Sequence, residues 1–126
     1  MNFPFCLLRI DIIDYSYVFF NAFLLHFKFK ITKQGGENVD EKDIKTLTLT
    51  CRKYNSKSST ILFNKNKEDF IFKDNYWHSE FKPEDTRELD YGIYNFDIEC
   101  TLTDGTVKTL KSQFEITEED TIYERS

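Results

Sequence analysis

From Phe27 to near the end of the chain, hydrophobic and polar residues alternate with a period of two. Phe27, Phe29 and Ile31 alternate with Lys28, Lys30 and Thr32, which predicts a half-buried strand because successive side chains point to opposite faces. The polar run Lys33 to Asp43 reads as a loop with Gly35-Gly36 at its turn. Leu47, Leu49 and Cys51 then alternate with Thr46, Thr48, Thr50 and Arg52, a second strand with a threonine-lined outer face. Asn55 to Ser59 is a polar turn, Ile61 to Phe63 a short apolar strand, and Asn64 to Asp69 another turn. Phe70 and Phe72 flank Ile71, and Asp74-Asn75 leads into Tyr76 to Phe81, where Trp77, Ser79 and Phe81 share a face. Short strands at this spacing, separated by polar turns, predict a β-sandwich or barrel and not a βαβ fold.

The segment from Pro83 to Ile116 is the most informative. Pro83-Glu84-Asp85-Thr86 fits a single helical turn, with proline where its missing donor is tolerated and acids near the positive end. A long one-sided strand follows, with Tyr94, Phe96, Ile98, Cys100 and Leu102 on the core face and Asn95, Asp97, Glu99, Thr101 and Thr103 on the wet one. Asp104-Gly105 is a dipeptide favoured in tight hairpin turns because both residues tolerate positive φ. The returning strand runs from about Thr106 to Ile116, with Leu110, Phe114 and Ile116 inward. Within this segment Asp90-x-Gly92-x-Tyr94-x-Phe96 matches the D-x-G-x-Y-x-C run at the tyrosine corner of immunoglobulin-like sandwiches, with Phe96 in place of the cysteine. The motif's roles are structural: a sharp turn at Gly92, and a Tyr94 ring packed inward with its hydroxyl on an upstream backbone group. The sequence therefore predicts an all-β, immunoglobulin-like antiparallel β-sandwich of about seven strands, preceded by an N-terminal extension.

The expected division is residues 1–26 as an extension or arm, 27–117 as the sandwich and 118–126 as an acidic tail. The uncharged run Tyr15 to Leu25 is far shorter than the roughly 20 residues that span a bilayer, and Arg9, Asp11 and Asp14 interrupt what precedes it. A basic n-region and a small-residue cleavage site are also missing from it. Three readings stay open for this extension. It is a strand or arm docked on the domain or on a neighbouring subunit, a helix covering a sheet edge, or the product of a start codon assigned too early in an AT-rich gene. Its β-branched and aromatic content weighs against the helix.

Composition narrows the function classes. A chain of 126 residues fits one domain, and an aromatic content of 17% supplies a core despite the charge, which argues against intrinsic disorder. The net charge of −5 removes the term that drives most affinity for phosphate backbones, so nucleic acid is a poor partner. Cys6, Cys51 and Cys100 form an odd set without CxxC spacing, which argues for reduced thiols over a disulfide framework or zinc knuckle. Facing strands for Cys51 and Cys100, as for the immunoglobulin cysteines, are compatible with the pattern, but Cys100 lies four residues beyond the expected position and no bridge is predicted.

No catalytic constellation emerges. The two histidines, His26 and His78, belong to no triad, and the acidic pairs Glu84/Asp85, Asp97/Glu99 and Glu118/Glu119/Asp120 read as solvated surface. Glu37, Asp40, Glu41 and Asp43 lack the ligand order of an EF-hand loop, so no metal or cofactor is expected. The chain is expected to bind or assemble and not to catalyse; a small hydrolase is the last of the readings. A receptor- or carbohydrate-binding module is the alternative to assembly, with Tyr76, Trp77, His78 and Tyr91 as an aromatic patch. Against that patch, Trp77 shares its parity with Phe81 and fits the core better.

The runs TLTLTCR and FKPEDTRELDYGIYNFDIECTLTDGTVKTLKSQFEI resemble a family of small bacteriophage and prophage proteins of low-GC Gram-positive hosts. They are similar to the immunoglobulin-like N-terminal domain of phage baseplate upper proteins. The joint order of PEDT, GIYNFDIE and DGTVKTL carries the resemblance, which covers about Phe27 to Glu124. The chain departs from it at Ser112, where the family usually has glycine, and in the N-terminal extension. The resemblance implies a virion structural protein of the tail, baseplate or capsid periphery, assembled in the bacterial host cytoplasm and acting through protein–protein contacts. Its implied partners are other virion proteins or copies of itself, with neither nucleic acid nor membrane, and Tyr15 to Ile31 is the expected strand donor to a neighbour.

Overall fold

A computed structural model describes residues 8–19, 23–54, 56 and 58–116. The strands are β1 (Arg9–Phe19), β2 (Phe23–Lys33), β3 (Glu37–Asn38), β4 (Ile44–Arg52), β5 (Ile61–Lys65), β6 (Ile71–Lys73), β7 (Tyr76–Phe81), β8 (Gly92–Leu102) and β9 (Val107–Ile116), with one helical turn, α1 (Pro83–Thr86). One sheet has the order β1-β2-β7-β6, with β3 added to β2, and the other the order β5-β4-β8-β9. All strand pairs are antiparallel. In immunoglobulin lettering this is A-B-E-D facing C′-C-F-G, so the fold is an immunoglobulin-like sandwich.

The period-two pattern has its predicted consequence. Leu25, Phe27, Phe29 and Ile31 from β2 and Trp77, Ser79 and Phe81 from β7 face Leu47, Leu49 and Cys51 from β4 and Phe96, Ile98 and Cys100 from β8. Phe81 is the hub between the sheets, with ring centroids 5.5 Å from Phe27, 5.0 Å from Phe63, 5.5 Å from Phe96 and 5.0 Å from Phe114. Phe27 and Phe96 meet at 5.6 Å across the sheets. They join the strands that carry the inter-sheet disulfide in antibody domains, so aromatic packing replaces the covalent link.

Several expectations change. The boundary expected at residue 26 falls inside β2, and Leu8, Ile10 and Leu25 are buried in the common core, so the described part of the extension is a strand of the sandwich. Residues 1–7 and the acidic tail 118–126 lie outside the described residues. Of Tyr15 to Ile31, expected as a donated strand, the described residues pair within their own chain: β1 lies antiparallel to β2, with Tyr15 opposite Phe27 and Phe19 opposite Phe23. Cys51 and Cys100 do not face each other. They sit on neighbouring strands of one sheet, opposite Phe96 and Leu47. An offset of four residues is about 13 Å along a strand, well beyond the reach of a disulfide, and both thiols are free. The loop Lys33 to Asp43 is less polar in place than in sequence, because Val39 turns into the core and its N–H donates to the Ile31 carbonyl at 3.1 Å.

Turn chemistry is redistributed as well. Asp74 and Asn75, at φ 55° and 69°, form the two-residue turn that joins β6 to β7, as a type I′ hairpin requires. At the β8–β9 hairpin only Gly105 has positive φ, 94°. The Leu102 N–H donates to the Thr106 carbonyl and the Gly105 N–H to the Leu102 carbonyl, so the loop spans three residues in place of the expected two.

Candidate functional site

The tyrosine-corner residues are drawn together as the motif requires. The Tyr94 hydroxyl donates to the Asp90 carbonyl at 2.6 Å, its ring is buried against Phe114 at 5.5 Å, and Lys53 Nζ lies 4.3 Å from its centroid. Burial and the nearby Asp90 raise the Tyr94 pKa. Gly92 has φ 144°, and a Cβ there would approach Lys53 Nζ to 2.8 Å, so glycine suits both the conformation and the space. Phe96 is core, and Asp104 holds its hairpin by accepting from the Thr106 N–H at 2.9 Å, which lowers the Asp104 pKa. All six residues thus make structural contacts.

The suggested aromatic patch is dispersed. Trp77 is 1% exposed and packs on Phe72 at 4.9 Å, so it belongs to the core and not to a surface platform. Tyr76 and His78 point outward from the first sheet, while Tyr91 precedes β8, beyond the other end of β7. On that outer face His78 stacks on His26 with centroids 5.5 Å apart, Nδ1 and Nε2 separated by 3.4 Å. Lys28 Nζ lies 4.5 Å from the Tyr76 ring. Burial, then His26 and Lys28, lower the His78 pKa, since each disfavours a second positive charge there. The pair borders a groove of about 390 Å³ that also takes in Ile71, Lys73 and Glu80.

A second concavity, of about 140 Å³, lies on the outer face of the other sheet. Register builds it: Arg52 opposes Asn95, Thr50 opposes Asp97, and Asp97 opposes Lys111. Arg52 Nη1 is 3.6 Å from the Asp97 carboxylate, with both side chains largely covered. Asn95 donates to the Lys53 carbonyl at 2.9 Å and accepts from Gln113 at 3.1 Å. Tyr54, 66% exposed, forms one wall. Sequence reading missed this grouping: Arg52 and Asp97 share an outward parity, but their contact depends on a register that only pairing sets.

The remaining polar features are structural. Asp85 accepts from Lys65 Nζ at 2.6 Å and from the Lys82 N–H at 2.8 Å, tying α1 to β5. Burial pushes the Cys51 thiol up to about 12 and Cys100 up to about 11, so neither is an activated nucleophile in this fold. Among the described residues, no three His, Cys, Asp or Glu side chains converge as a metal site, and no helix is long and apolar enough to cross a membrane. No protein-family model, curated protein or solved structure matches the chain.

Proposed function

We propose that this chain is an assembly module of a phage or prophage virion, an immunoglobulin-like accessory of the tail, baseplate or capsid that works through protein–protein contacts. The observation that carries the assembly reading is the edge strand β1. It runs for eleven residues and, among the described residues, ladders only with β2. Its other side therefore offers backbone donors and acceptors to a strand of a neighbouring subunit. A register irregularity between Ile12 and Asp14 blunts the first part of the edge and leaves Asp14 to Phe19 as the continuous part. The resemblance of the PEDT, GIYNFDIE and DGTVKTL runs to phage proteins supports the virion setting. The test is mass spectrometry of particles purified from an induced lysogen or lysate of the source strain. The protein is expected at stoichiometric copy number, and its absence from intact particles would count decisively against the reading.

A further inference from the structure

We propose that the cleft on the outer face of the β5-β4-β8-β9 sheet is a binding site for one ring of a neutral saccharide. Its chemistry excludes the simpler ligands first. Arg52 and Lys111 share the cleft with Asp97, so its lining carries both signs of charge and is matched neither to a multiply charged anion nor to a metal cation. What remains suited to adjacent donors and acceptors is a ligand whose every polar group both donates and accepts, which describes the vicinal hydroxyls of a sugar. Arg52 and Asp97 provide the paired planar groups that clamp such a diol, with the Thr50 hydroxyl beside them.

The polar atoms are also poised for a ligand. Arg52 Nε is buried and, among the described residues, finds no hydrogen-bond partner. The Arg52–Asp97 separation of 3.6 Å is longer than a formed hydrogen bond. A hydroxyl seated beside the pair can accept from Arg52 and donate to Asp97, making the hydrogen bonds that the 3.6 Å ion pair lacks. Tyr54 supplies the apolar component: its exposed ring at the cleft wall can stack on the C–H face of a pyranose while the hydroxyl edge meets Arg52 and Asp97. The volume of about 140 Å³ is well below that of sites enclosing drug-sized ligands, so the cleft takes one residue of a longer glycan. The site uses neither β1 nor the histidine face and does not rest on the assembly reading.

The 126-residue chain should be applied to a printed array of neutral, sialylated, sulfated and phosphorylated oligosaccharides. The strongest neutral ligand is then titrated by NMR against wild type, Tyr54→Ala, Asp97→Asn and His78→Ala, with thermal melts run on each variant. Tyr54→Ala removes an exposed ring, so its melt should match wild type while affinity falls about tenfold or more. Asp97→Asn should weaken binding as well, and His78→Ala, on the opposite sheet, should leave it unchanged. The proposal is overturned if no glycan binds at millimolar concentration, if only anionic glycans bind, or if binding survives both Tyr54→Ala and Asp97→Asn.

Discussion

At the scale of single residues, the conspicuous groups of this sequence are spent on conformation. Tyr94 places one hydrogen bond at 2.6 Å on the carbonyl of Asp90, an exposed residue. Tyr94→Phe keeps the ring and deletes that bond, so denaturant unfolding should show a loss of about 1 kcal/mol without a change of fold. His78 has a pKa held below 6.5 by burial and by its cationic neighbours. The unfolded chain therefore takes up its proton first as pH falls. The contribution of His78 to stability is complete above pH 6.5, the ordinary value for the side chain, and is lost as pH drops through the lower folded value. Melting temperatures recorded from pH 7.5 down to 5 should fall more steeply for wild type than for His78→Asn; equal slopes would place the pH dependence elsewhere.

At the scale of elements, the strands were legible wherever one face is buried and the other is wet. That condition holds for β4, β7 and β8, where Leu49, Trp77 and Ile98 alternate with polar residues. It fails for β1, whose sequence RIDIIDYSYVF mixes apolar residues on both parities because an irregularity after Ile12 changes the phase. The core joins these elements through Phe81, which touches aromatic rings from β2, β5, β8 and β9. Phe81→Ala should cost about 3–5 kcal/mol, a large share of the roughly 5–15 kcal/mol that holds a domain folded. Circular dichroism melts would show it as a lost or sharply lowered transition. The turns were less legible. Asp104-Gly105 carries the stronger hairpin signal, yet the two-residue turn with positive φ at both positions is Asp74-Asn75, while Gly105 closes a three-residue loop as its one left-handed residue.

At the scale of the whole molecule, two sheets close over one core, and each leaves a different outer face. One carries the stacked His26 and His78 among lysines, the other the Arg52–Asp97 cleft with its Tyr54 wall. The sequence by itself determined the sandwich, the tyrosine corner and the structural fate of Asp90, Gly92, Tyr94 and Phe96. Those follow from local periodicity and from backbone conformations that few residues can adopt. Only the tertiary structure decided that Arg9–Phe19 and the first residues of Phe23–Lys33 join the sandwich, that Cys51 and Cys100 are neighbours within a sheet, and that Arg52 meets Asp97. Each of these is a pairing between strands, which no single segment states. Periodicity states which face a side chain takes, while register alone states what it meets there.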